Sequence, residues 1–166
     1  EYVYEHGLMA GTDNRVFEPN ANLNRAQAVQ ILYNLESQPE VTASADYTDT
    51  AGHWAINAIN WASENGIVSG VGNNRFDPNS PVSREQFAVM MYNYAQYKGY
   101  DLSAQADLTT FPDNGKVSSW ALRALQWANG EGLINGSNGS LLPGGTATRG
   151  QAASILRKFD QNIVGD

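Results

Sequence analysis

Glu64-Asn65-Gly66-Ile67-Val68-Ser69-Gly70 decides the fold, because the chain writes this stretch three times. It recurs as Glu5-His6-Gly7-Leu8-Met9-Ala10-Gly11 and as Gly130-Glu131-Gly132-Leu133-Ile134-Asn135-Gly136. Self-similarity at a period of this size marks a repeat architecture, in which one unit alone cannot bury its apolar face. Downstream of the bend, Arg25, Arg84 and Arg149 align at steps of 59 and 65 residues. Upstream, Trp54 aligns with Trp120 and Trp61 with Trp127, both at a step of 66, so the third loop is one residue shorter than the second.

Each unit opens with a predicted helix. Trp54, Ala58, Ile59, Trp61 and Ala62 place large and small apolar residues on one face at helical spacing, and Trp120, Ala124, Leu125, Trp127 and Ala128 repeat it. All four tryptophans are read as core packing rather than as platforms on which sugars stack. The helix is expected to stop at Gly66 or Gly132 in a left-handed cap, and Gly70 and Gly136 to permit a second tight bend.

Beyond the bend lies a loop with an aromatic plug and a proline, Phe17-Glu18-Pro19 in the first unit and Phe76-Asp77-Pro78 in the second. The third unit has Leu142-Pro143 with no acid between them. A second helix then starts at Asn24-Arg25-Ala26-Gln27, Ser83-Arg84-Glu85-Gln86 and Thr148-Arg149-Gly150-Gln151, each with a capping side chain and a Gln three residues on. Its buried face is predicted from Ala28, Ile31, Leu32 and Leu35, matched by Phe87, Met90, Met91 and Tyr94, and by Ala152, Ile155, Leu156 and Phe159.

Polar connectors at roughly 37–44 and 99–105 lead to the turns Tyr47-Thr48-Asp49 and Phe111-Pro112-Asp113. The expectation is a single all-α domain over 1–166, with a partial repeat at 1–38 and full repeats at 46–98 and 110–161, packed as one pseudo-threefold bundle of helix-loop-helix units. Glu1 aligns with Asn60, so the counterpart of Trp54 would precede the first residue. Upstream sequence, a second molecule or a tolerated groove would each answer that gap.

Composition narrows the function classes. A chain of 166 residues that is 42% hydrophobic suits one soluble core. A net charge of −7 gives a field that repels nucleic acid and anionic membrane surfaces, so nucleic-acid binding is not expected. No stretch approaches the roughly 18 consecutive apolar residues a membrane helix needs, so membrane insertion is not expected either. Any export signal is expected to lie outside these residues. A Debye length of about 8 Å at physiological salt still lets one Arg in a groove act almost independently of distant carboxylates. With no cysteine there is no disulfide, thiolate metal site or cysteine nucleophile.

An aromatic-Asp turn, Trp-Ala, a Gly-Ile-x-x-Gly bend, Phe-x-Pro and a Thr-Arg-Ala-Glu-like helix start, in that order, resemble the S-layer homology domain over nearly the whole chain. The resemblance implies a three-repeat helical spindle that anchors exported bacterial proteins to secondary cell-wall polysaccharide, often through pyruvylated sugars. It therefore implies an extracellular location at the cell wall or S-layer. It assigns ligand contact to the helix-start motif, where this chain keeps Arg in all three copies and carries Gln where the family usually has an acid.

The residues support that assignment independently. A cation in the first turn of a helix opposes the macrodipole by about 0.3–1 kcal/mol, so keeping it three times suggests a use. With free backbone N–H groups at the helix start, a guanidinium makes a carboxylate receptor. Arg84, Arg149 and Arg25 are thus the candidate receptors, and the alternative is that Arg25 and Arg84 pair with Glu18 and Asp77 in their own loops. Asn24, Ser83 and Thr148 are read first as caps that could also touch a bound acid. Gly70 and Gly136 are read first as conformational, with bare backbone that would let a sugar approach. His53, replaced by Ser119 in the next unit, is read as a local hydrogen-bonding residue.

No catalytic residue, cofactor or metal is expected. The recurrent acids Asp49, Asp113, Glu18 and Asp77 look like turn chemistry rather than a glycosidase pair. The Asn-rich loop tips lack the acids of a calcium loop. The rival to glycan binding is a protein-assembly module that self-associates through its incomplete first repeat.

Overall fold

A computed structural model describes residues 20–165. The first copy of the bend, the Phe17-Glu18-Pro19 loop and any pairing of Glu18 lie outside these residues. Among the described residues five α-helices are present: α1 at Arg25–Leu35, α2 at Ile56–Glu64, α3 at Arg84–Lys98, α4 at Leu122–Gly130 and α5 at Arg149–Phe159. No strand accompanies them, and the architecture is all-α. None is long and apolar enough to cross a membrane.

Three of these helices begin as their sequences predict. At α1, Gln27 N donates to Asn24 Oδ1 at 2.8 Å while Asn24 N donates to Gln27 Oε1 at 2.9 Å. Ser83 with Gln86 and Thr148 with Gln151 close the same reciprocal box at α3 and α5. The neutral amide oxygen of Gln accepts as a carboxylate would, which is why the box survives without the acid.

The leading tryptophans correct the sequence reading. α2 and α4 start two residues later than Trp54 and Trp120, and those two rings are 63% and 59% exposed rather than in the core. The turn before α2 is built locally: Ala55 N donates to His53 Nδ1 at 3.0 Å, and His53 Nε2 lies 3.1 Å from Asn79 Oδ1. Helical periodicity therefore does not reach back to the tryptophan, and Ala55 and Ala121 take the inward positions. Trp61 and Trp127 are buried as expected, packed against Tyr33 and Tyr97 and against Tyr92. The faces of α1, α3 and α5 also enter the core, with Leu35 at its margin.

Helices pair across unit boundaries: α1 packs on α2, and α3 on α4. Glu36 at the end of α1 ties this packing to α3, accepting from Tyr94 Oη at 2.6 Å and pairing with Lys98 Nζ at 2.9 Å. Glu85 of α3, buried, accepts from Ser118 N and Oγ at 2.9 and 2.6 Å just ahead of α4.

The residues preceding the three caps meet in a closed ring. Leu23 N donates to Ala147 O, Ala147 N to Val82 O, and Val82 N to Leu23 O, each at 2.9 Å. Each is a buried apolar residue, so the ring satisfies backbone groups that would otherwise be stranded away from water.

Candidate functional site

In the second and third units, two consecutive loop residues are held by one carboxylate. Asp49 Oδ1 and Oδ2 accept from Phe76 N and Asp77 N at 2.9 and 2.8 Å, and Asp113 accepts from Leu141 N and Leu142 N at the same distances. The equivalence corrects the loop alignment: Leu141, buried, is the counterpart of the Phe76 plug, and Leu142 stands where Asp77 does. Both Asp77 and Leu142 have positive φ, 60° and 50°. The missing residue lies at the loop tip, where Val71 N reaches Arg75 O but Ser137 N reaches Ser140 O.

These clamps set a pH dependence. Burial opposes ionisation of Asp49, yet the N–H groups of Phe76 and Asp77 and the nearby Arg75 outweigh it and hold its carboxyl below the ordinary value. The N–H of Leu141, then that of Leu142, does the same for Asp113. A carboxyl depressed in the fold gives stability that is complete above its unfolded value, near pH 4, and lost as pH falls through the folded value. Thermal melts from pH 7 to 2.5 should show the melting temperature dropping below about pH 4. A variant carrying Asp49→Asn and Asp113→Asn should melt lower at pH 7 and lose less on acidification; an unchanged slope would contradict the clamp.

The helix starts are not free. Arg25 N donates to Ser80 O and Ala26 N to Pro78 O, while Arg84 N donates to Gly145 O and Glu85 N to Pro143 O. With the third N–H taken by the cap, the first three donors of α1 and α3 are satisfied by the following unit's loop and by the box. The expected contribution of open helix N–H groups to a carboxylate receptor is therefore overturned for these two helices. Likewise the oxygens of Asn24, Ser83 and Thr148 are engaged as caps.

The arginines reach forward, into the next unit. Arg25 is 6% exposed, donates through Nε to Phe76 O and through one terminal nitrogen to Ser69 O, both at 2.9 Å, and lies 4.6 Å from the centre of the Phe76 ring. Arg84 donates through Nε to Leu141 O at 3.0 Å; its two terminal nitrogens make no hydrogen bond among the described residues. Burial pulls both guanidinium pKa values down, opposed by Asp77 and Tyr47 near Arg25 and by Asp113 near Arg84. Asp77 itself pairs with Arg75 at 3.6 Å, so the alternative pairing of Arg84 with Asp77 does not occur. Arg149 opens α5 at 6% exposure.

Each described forward reach ends in a groove. One, of about 740 Å³, is lined by Arg25, the bend through Ser69 and Gly70, Met90 and Asn93 of α3, and Trp120. The other, of about 180 Å³, is lined by Arg84, the bend through Asn135 and Gly136, and Ser154 and Lys158 of α5. A side chain on Gly70 would meet Arg75 O at 2.7 Å and Tyr47 at 2.8 Å, and one on Gly136 would meet Ser140 O at 2.9 Å. The bare backbone at both positions is thus needed by the chain's own loop, although both line a groove. Sequence reasoning missed Trp120 and Lys158 as groove residues. The step from Arg149 to Lys158 matches that from Arg84 to Asn93, and this alignment was the available signal.

Comparison with known proteins agrees with the geometry. The family model described as S-layer homology domain matches residues 1–29, 46–88 and 110–153. The chain is 33% identical to an amylopullulanase of Thermoanaerobacterium thermosulfurigenes over 94% of its own length and 8% of the enzyme's. It is 31% identical to a surface-layer 125 kDa protein of Lysinibacillus sphaericus over 97% of its length and 14% of that protein's. With the S-layer protein sap of Bacillus anthracis it shares 26% over 98% of its length and 20% of that protein's. The chain thus spans a fifth or less of each of these relatives. The matched ranges take in the bend, the cap and the recurrent arginine of all three units, and the chain belongs to the S-layer homology domain family.

Proposed function

We propose that this chain is a non-catalytic cell-wall anchoring module whose inter-repeat grooves bind an anionic, pyruvylated secondary wall polysaccharide. Membership of the family, with relatives that are S-layer proteins, indicates a location at the cell surface. The amylopullulanase and an endoglucanase of Bacillus sp. match over only 8% and 16% of their lengths. That pattern suits a portable module attached to unrelated proteins, so the activities in those names are not carried over.

The observation that carries the reading is the open end of Arg84. Its Nε is fixed on Leu141 O, its terminal nitrogens make no hydrogen bond among the described residues, and Arg84 lines a groove together with Lys158. A planar cation preoriented by one bond loses little freedom when its remaining N–H groups take a carboxylate. Arg84 is therefore the principal receptor proposed, with Arg149 and Arg25 at equivalent positions and Gly70 and Gly136 in the groove walls. The ring linking Leu23, Ala147 and Val82 supports a pseudo-threefold arrangement in which the grooves are related.

The test is sedimentation of the purified chain with wall sacculi before and after extraction of the secondary polymer. Binding that disappears with the polymer is the expected result. Binding that persists after extraction would refute the proposed ligand, and concentration-dependent oligomers without wall binding would favour the assembly module instead.

A further inference from the structure

We infer that the two described grooves divide the ligand between them: the Arg84–Lys158 groove takes its acid group, and the Arg25–Trp120 groove takes an uncharged sugar ring. The inference rests on the anchoring reading and adds to it which chemistry goes where. The ninth residue after the recurrent arginine is Asn93 in one groove and Lys158 in the other. Asn93 is committed to the bend, donating through Nδ2 to Ile67 O at 3.1 Å. Lys158 is half-buried in the wall and makes no ion pair among the described residues.

A cation in the last turn of a helix is favoured by the macrodipole, and that would account equally for Arg157 and Lys158. Of the two, only Lys158 lines the groove. The arginines differ in the same direction. Arg25 gives Nε and a terminal nitrogen to carbonyls and lies over Phe76, whereas Arg84 gives only Nε. No carboxylate lines either groove among the described residues; the nearby acids, Asp113 beside Arg84 and Asp77 beside Arg25, stand outside the lining. One groove is thus lined by two cations, Arg84 and Lys158. The other is roomier, holds one inward cation, and is faced by an exposed indole against which the C–H face of a sugar can lie.

The experiment is an NMR titration of the full chain with a methyl hexoside bearing a pyruvyl ketal, and with the uncharged methyl ester of the same compound. The acid should shift the amides of Asn135 and Gly136 and the ester should not, while both shift the Trp120 indole N–H. Lys158→Asn should weaken the acid site roughly tenfold. Asn93→Lys should create a second acid-dependent set of shifts at Ser69 and Gly70. Equal response of both bends to the acid, or an unchanged acid site in Lys158→Asn, overturns the division while leaving wall anchoring intact. A probe that leaves Gly136 unmoved, in a chain that still sediments with polymer-bearing walls, also overturns it. Failure to bind both probe and walls removes the anchoring reading with it.

Discussion

Phe76→Ala should destabilise the fold by about 3–5 kcal/mol, the range for truncating a buried aromatic ring. Phe76 is fully buried, packs on Tyr47 and lies under the Arg25 guanidinium. Its backbone N–H is held by Asp49 and its carbonyl by Arg25 Nε. One truncation therefore opens a cavity and loosens the junction between the first two units. The third unit supplies an internal control, since Leu141 fills the same position there. Phe76→Leu should accordingly cost less than half as much as Phe76→Ala. Chemical denaturation of the three proteins checks this, and equal losses for Leu and Ala would show that ring shape, not filled volume, is what the plug supplies.

Arg84→Ala should weaken binding of the wall polymer roughly ten- to hundredfold, equivalent to losing about 1.5–3 kcal/mol of charge-assisted hydrogen bonding. The substitution also removes the bond to Leu141 O, so folding must be measured beside binding. Arg25→Ala provides the contrast. It deletes two backbone hydrogen bonds and the contact with Phe76, and should reduce stability more than Arg84→Ala while weakening the polymer less. Titration calorimetry and thermal melts of both variants separate the two effects. A common loss of affinity that tracks stability in both would mean that the arginines serve only to join the units.

How much of this was legible in the sequence depends on reach along the chain. The capping boxes lie within three residues and were read correctly at all three helices. So were the buried tryptophans, Trp61 and Trp127, which sit inside uninterrupted helical periodicity. Trp54 and Trp120 were misread because apolar spacing says nothing of where a helix begins, and a local turn placed that start two residues on. The arginine partners were illegible for a different reason. They lie 44 to 57 residues away, on backbone carbonyls that a residue of any type can present. Asp49 and Asp113 looked like turn residues, and their grip on loops 27 to 29 residues downstream has no local signature. The same long reach turned the helix starts, expected to be open to ligand, into junctions between units.

Titration calorimetry of the intact chain against pyruvylated and chemically depyruvylated wall polymer tests the central claim most directly. If Arg84 and its groove grip an acid group, removing the pyruvyl ketal should lower the affinity at least about tenfold and abolish most of its salt dependence. Equal affinity for the two polymers would contradict the claim.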